Sequence, residues 1–271
     1  MTPQRSPLYF ALRRFADNKA AVVSAVILGV ILLMAIFAPL ITPTGYADQD
    51  YLTEALAFPS GRHWMGIDDL GRDFFTRIVY GARVSLSIGF SAALFAVLIG
   101  IPLGAIAGFY GGWADWIVMR LIELFSVVPP LLAAMLLGAL TNGGFFTIVL
   151  IASLFGWVQV CLLVRAQVKA FREKEFVRAA QALGANPGYI IRRHLIPNSI
   201  SPIIVGFVLA IPLAMMLEAS LSFLGIGVPP PVPSWGQMIN VGMNFMYFYW
   251  HLAVFPTLAL AVTVLATTLL G

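Results

Sequence analysis

The 271-residue sequence has one cysteine, three lysines and three histidines, and charged residues make up only 10% of it. A lone thiol, Cys161, excludes an internal disulfide and a thiolate cluster. None of Lys19, Lys169 and Lys174 follows a glycine, so the G-x-x-x-x-G-K-[ST] loop that cradles nucleotide phosphates is absent. His63, His194 and His251 fall in three separate segments and no H-E-x-x-H pair occurs, which removes the common zinc-hydrolase arrangement. Soluble domains are about a quarter charged, so this chain is a poor fit to a water-soluble globule, and disordered chains are polar rather than apolar. Its 24 glycines and 17 prolines follow no collagen-like or solenoid period. The net charge of +4 does not point to nucleic acid, because the basic residues lie in loops between apolar runs rather than on one polar face.

What is there is hydrocarbon. Hydrophobic residues make up 60% of the chain and gather into runs of about twenty, the length that crosses a bilayer core as a helix. Six such runs are expected, at 20–41, 84–110, 116–140, 145–164, 201–224 and 251–270, giving an all-α polytopic membrane protein. The first run is longer than a signal-peptide core and ends at Pro39 to Pro43, so it reads as a retained span. Gly100, Pro102 and Gly104 interrupt the second run, Pro129 and Pro130 the third, Pro212 the fifth and Pro256 the sixth. Within lipid the freed backbone groups need partners, which suggests spans bent around a pathway.

Loop charges set the sidedness. The tail before residue 20 carries Arg5, Arg13, Arg14 and Lys19 against Asp17, and the 166–200 loop with Arg165 carries seven basic residues against Glu173 and Glu175. Between the first two spans the balance reverses, with four arginines against six acidic residues, and 225–250 has no charge. The positive-inside rule therefore puts both termini and the 166–200 loop in the cytoplasm. The expected organisation is a cytoplasmic tail at 1–19, a first span at 20–41, an external loop at 42–83, and a core of five spans at 84–271. Trp235, Tyr247, Tyr249 and Trp250 suit an aromatic belt at the membrane interface.

Candidates for chemistry are few. Asp68, Asp69 and Asp73 with His63 meet no metal-ligand spacing, and capping of a short interfacial helix is the expected role. Arg120 and Glu123 suit a helical i,i+3 pair. Glu218 has no partner of opposite charge in its own span and lies beside Ser220 and Ser222, so Glu218 and Ser222 are pathway candidates; pairing of Glu218 with another subunit is the equal alternative. In the 166–200 loop, Val164, Val168 and Phe171 follow helical spacing, and Phe176, Ala180 and Leu183 repeat it. Gly184 suits a left-handed C′ position, Asn186 an N-cap and Pro187 the first helical position, with the second helix ending at Pro197. The result is a short helix-turn-helix with Ala179, Ala180, Ala182 and Gly184 at its corner. From these residues alone, a docking knob and a basic helix lying on anionic lipid remain equally open.

The run Arg178-Ala179-Ala180-Gln181-Ala182-Leu183-Gly184, followed after nine residues by His194-Leu195-Ile196-Pro197-Asn198, resembles the E-A-A loop of binding-protein-dependent ABC transporter permeases. It departs from that pattern in having Arg178 for the glutamate and His194-Leu195-Ile196-Pro197 for I-x-L-P. Two further blocks resemble the C-type subunit of the dipeptide/oligopeptide/nickel importers. One is Met65-Gly66-Ile67-Asp68-Asp69-Leu70-Gly71-Arg72-Asp73, continuing to Tyr80-Gly81-Ala82-Arg83-Val84-Ser85-Leu86. The other is Leu217-Glu218-Ala219-Ser220-Leu221-Ser222-Phe223-Leu224-Gly225-Ile226-Gly227, followed by Pro233-Ser234-Trp235-Gly236. Family members usually run on past Leu269-Leu270-Gly271 into a short polar tail.

The resemblance implies a type I ABC importer permease in a bacterial or archaeal cytoplasmic (inner) membrane. Its loop would couple to an ATPase through Phe176, Ala179, Ala180, Leu183, Gly184, Ala185, His194, Pro197 and Asn198. The implied partners are a homologous B-type permease, two ABC ATPases that carry ATP and magnesium, and a periplasmic or lipid-anchored solute-binding protein. The chain itself would hold no cofactor or metal and catalyse nothing. The implied cargo is a di- or oligopeptide, with nickel or a metal chelate as the alternative. A proton-coupled secondary transporter is the reading from a different class.

Overall fold

The computed structural model describes residues 15–51, 54–141 and 143–271. The expectations placed on Arg5, Arg13 and Arg14 lie outside these residues. The described helices are α1 Lys19–Ile36, α2 Ala38–Ile41, α3 Phe74–Tyr110, α4 Gly112–Val127, α5 Pro130–Thr141, α6 Phe145–Arg172, α7 Glu175–Ala182 and α8 Pro187–Ile190. A π-helical turn, Ile191–Leu195, leads to α9 Ile196–Asn198, α10 Ile200–Phe223, α11 Trp235–Phe245 and α12 His251–Leu270. Among the described residues the only extended pairing outside the helices is one antiparallel bridge between Ile67 and Asp73. Five helices, α1, α3, α6, α10 and α12, are long and apolar enough to cross a membrane, and α4 with α5 makes a sixth candidate bent by 78°.

Contacts among the described residues gather into two compact units, one formed by those up to 84 with 230–271 and the other by those from 85 to 229. The last span groups with the first, where α12 packs on α1 and α11.

The second span begins ten residues earlier than its apolar run, at Phe74, so the end of the expected 42–83 loop is helical. Asp73 starts it, its Oδ1 accepting the Thr76 N–H at 2.8 Å and so satisfying one of the first turn's orphan donors. Arg77 hid this start from a reading based on apolarity, yet Arg77 is buried and paired. At 37 residues α3 is about 55 Å long, well beyond a hydrocarbon core of about 30 Å.

Gly100, Pro102 and Gly104 do not interrupt α3. Gly100, Gly104 and Gly108 recur every fourth residue on the face against α6, where a Cβ would stand 2.9, 2.5 and 2.7 Å from the carbonyl oxygens of Trp157, Cys161 and Arg165. Only glycine lets two backbones come this close, the small-residue packing that joins helices in lipid. Behind this seam, Trp157 and Cys161 pack with Ala107, Val118 and Ile122. The helix α6 also outruns its expected end at 164 because Arg165 is neutralised by Asp115 of α4, Nη2 lying 2.6 Å from Oδ2. The third expected span is not one helix: Pro129 and Pro130 split it into α4 and α5.

Candidate functional site

The 166–200 loop folds as a helix-turn-helix. Gly184 takes φ +79° just past the end of α7, Asn186 Oδ1 accepts the Tyr189 N–H at 2.7 Å, and Pro187 opens α8. The second helix runs one residue beyond Pro197, to Asn198, and takes in the π-helical turn. Its foot is apolar: Val177, Ile190 and Leu195 are buried with Val164 and Val168 of α6, Ala105 and Phe109 of α3 and Ile203 of α10. Ala180 and Ala185 are half-buried against the same cluster.

The other side of the loop is open. Leu183 is 87% exposed at the left-handed turn and Phe176 is 41% exposed, with Ala179, Ala182 and Gly184 exposed beside them. The His194 ring lies 6.4 Å from that of Phe176 and 5.7 Å from that of Tyr189, while Asn198 donates to the His194 carbonyl and Pro197 is exposed. The helical spacing of Phe176 and Leu183 therefore marks an outward face, with Val177 supplying the inward anchor. The nine loop residues singled out from the sequence all belong to this one motif.

The pathway candidates are placed differently. Glu218 is fully buried; its Oε1 accepts the Ser222 hydroxyl at 2.7 Å, and Ser85 of α3 lies 3.4 Å from Oε2. It thus has partners one helical turn away and on another helix, and the Glu218–Ser222 pair is a buried link and not a cavity wall. The cavity in the 85–229 unit, of about 610 Å³, is lined instead by Ala92, Ala96, Pro130, Gln159, Gly206 and Ser220 among others. Neither Gln159 nor the cavity was singled out from the sequence. A single amide in the apolar run of α6 was the available signal.

In the other unit, two of the sequence blocks meet. Asp68 Oδ1 accepts the backbone N–H groups of Leu70 and Arg72, each at 2.9 Å. Its Oδ2 takes Arg72 Nε at 2.6 Å, with Arg77 Nε at 3.4 Å. Arg77 Nη1 reaches the carbonyls of Tyr46 and Pro231. Trp235 donates its indole N–H to the Ile78 carbonyl at 3.0 Å, in a space that Gly81 leaves open. Trp235 is therefore a buried anchor and not part of an interfacial belt, whereas Tyr247 and Trp250 are exposed.

His63 Nδ1 lies 3.3 Å from Asp73 Oδ2, and among the described residues no group of three metal-ligating side chains occurs. Asp73 does cap a helix, but the long α3 and not a short interfacial one. Asp69 Oδ1 is buried without a hydrogen-bond partner among the described residues. Burial, and then the adjacent Asp68 carboxylate, pushes the Asp69 carboxyl above the ordinary aspartate value.

These features define a helical integral membrane protein with a bound helix-turn-helix and a cavity between its helices. The comparisons with known proteins make the class specific. Residues 100–271 match the family described as binding-protein-dependent transport system inner membrane component, and residues 6–59 match the N-terminal TM domain of oligopeptide transport permease C. The chain is 40% identical over 262 residues to the oligopeptide transport system permease protein OppC of Bacillus subtilis (strain 168), covering 96% of this chain and 85% of that one. It is 40% identical over 270 residues to the dipeptide transport system permease protein DppC of the same organism, covering 99% and 84%. It is 37% identical over 270 residues to the glutathione transport system permease protein GsiD of Pectobacterium atrosepticum, covering 98% and 89%. A solved chain of the MetNI methionine ABC transporter shares the fold at 17% identity, with a TM-score of 0.54 over 69% of this chain and 89% of that one.

The chain belongs to the binding-protein-dependent ABC importer permeases, in the group of the oligopeptide and dipeptide C-type subunits. It is a transmembrane permease subunit.

Proposed function

We propose that the chain forms half of the pathway of an importer for di- and oligopeptides. Its partners in this reading are a homologous B-type permease, two ATPases holding ATP and magnesium, and an external solute-binding protein, periplasmic or lipid-anchored. It holds no cofactor and catalyses no reaction of its own. The peptide assignment is supported by three relatives, permeases for oligopeptide, dipeptide and glutathione, the last a tripeptide. The membrane is the bacterial or archaeal cytoplasmic (inner) membrane, with both chain ends and the 166–200 loop in the cytoplasm, as the loop charges favour.

The observation that carries the coupling role is the contrast within α7. Val177 is buried among the span ends while Phe176 and Leu183 face out. A knob that protrudes from a foot buried among α3, α6 and α10 passes a push on to those helices with little give, because packed interiors are close to incompressible. Closure of the ATPases on the knob would then shift the spans between two arrangements, the nucleotide favouring one of them. Phe176, Ala179, Ala180, Leu183, Gly184, Ala185, His194, Pro197 and Asn198 are the residues proposed to form or support that surface.

The test is Leu183→Asp in the assembled importer. Leu183 is exposed, so the fold and membrane insertion should be unchanged, while ATP-driven peptide uptake and co-purification of the ATPases should each fall at least about tenfold. Full uptake by this variant would refute the coupling role.

A further inference from the structure

The cavity in the 85–229 unit has walls from α3, α5, α6 and α10, and its volume of about 610 Å³ is that of a site for a small organic solute. Its lining is built from small and apolar side chains, among them Ala92, Ala96, Gly206 and Leu213, with no charged group. Two polar side chains reach it, Gln159 and Ser220. The Ser220 hydroxyl donates to the Met216 carbonyl of its own helix at 2.9 Å, so its proton is already used. The Gln159 amide makes no hydrogen bond to a described residue and is exposed. It is therefore the cavity's one side-chain donor that is still unspent.

Its depth makes this informative. Gln159 is the fifteenth of the 28 residues of α6, midway along a span. An unpaired amide facing acyl chains at that depth costs several kcal/mol, so the side chain is stable there only against water or a polar partner. A carboxamide also repeats the chemistry of a peptide group, one carbonyl acceptor beside N–H donors, and can therefore pair with a main-chain amide in either sense. Carrying no charge, it has no electrostatic preference among side chains of either sign.

We propose that the Gln159 carboxamide is a solute contact in the pathway, hydrogen-bonding main-chain groups of the peptide in transit and leaving its side chains unselected. This rests on the peptide-importer reading above and adds a residue and a recognition chemistry to it.

The test uses the assembled importer in nanodiscs, where both membrane faces are open to reagent, with and without Mg-ATP. The sole native thiol of this chain, Cys161, is fully buried, and labelling is read on this chain after it is separated from the other subunits. In Gln159→Cys, the expected result is labelling by a cationic methanethiosulfonate at least about tenfold faster than wild type in one nucleotide state, slowed by saturating peptide and binding protein. In Gln159→Glu, uptake of trilysine relative to triglutamate should rise about tenfold, with binding-protein affinity unchanged.

No labelling in any state of an intact complex would mean that another subunit or lipid covers the residue, and would overturn the proposal. Labelling without peptide protection, together with an unaltered trilysine to triglutamate ratio, would show a wet wall that solute does not touch and would overturn it equally. A wild-type importer that moves no peptide would overturn the peptide assignment itself, while the labelling arm would still report separately whether Gln159 faces water.

Discussion

Around Asp68, burial is achieved by pairing: one carboxylate takes two backbone N–H groups and lies against two arginines, and Arg77 goes on to two carbonyls of distant segments. Along Gly100, Gly104 and Gly108, burial is achieved by leaving side chains out, so that α3 meets the carbonyls of α6 directly. The first arrangement tolerates small movements but not the loss of a partner. The second has no partner to lose and instead fails on any addition. Each region is therefore broken by a different kind of substitution.

The largest effect is expected at the seam. Gly104→Leu places a Cβ where 2.5 Å separates it from the Cys161 carbonyl oxygen, and three further carbons beyond that. Neither backbone can give way without unpacking the helices, so the cost is on the order of 5 kcal/mol. Size-exclusion of detergent-extracted protein should show loss of the folded species; a monodisperse variant at wild-type yield would mean that the helices are less tightly joined than described.

Asp68→Ala comes next. It leaves Arg72 and Arg77 buried without their carboxylate, which costs about 3 kcal/mol by the usual penalty for orphaning a buried charge. Thermal unfolding should fall accordingly. A change of less than a degree or two would show that water reaches the arginines.

The smallest effect is expected at Asp69→Asn, and its sign is opposite. Because the Asp69 carboxyl is held above its ordinary value, ionising it costs stability in the folded state, and that cost applies in full at neutral pH. It is relieved as the pH falls through the raised folded value toward the unfolded one. The variant should match or exceed wild type at pH 7, by no more than about 0.5 kcal/mol given its partial exposure, and the difference should shrink as the pH falls and vanish below the unfolded value of about 4. A variant less stable than wild type at pH 7 would mean that the carboxylate is engaged and not merely buried.

The same comparison explains which parts could be read from sequence. The turn at Gly184, Asn186 and Pro187 was legible because its signals are local, each acting on backbone groups within about four residues. The seam glycines were visible too, but their spacing took its meaning only from the helix they approach, and alone they read as weak points in a span. The start of α3 was hidden because Arg77 counts as a charge in the sequence, whereas its cost is met by Asp68 and by carbonyls as far off as Pro231. Glu218 was legible as unusual. Its placement against Ser85 and away from the cavity depends on which side of α10 faces α3, which spacing within one helix does not state. Gln159 was missed for a related reason, since a cavity with walls from four helices has no signature in any one of them.

The break at Pro129 and Pro130 also has a consequence for the space the protein takes up in the bilayer. Helices α4 and α5, of 16 and 12 residues, are about 24 and 18 Å long. Laid end to end they would measure about 42 Å, more than the hydrocarbon is thick. Were α4 to stand along the membrane normal, α5 turned by 78° would bring the pair to only about 28 Å of height and would spread about 18 Å sideways. Pro130 and Leu131, the first residues after the break, lie at the cavity wall, and farther along α5 Gly138 has no room for a side chain beside Ile226. In that orientation the two prolines convert surplus height into footprint.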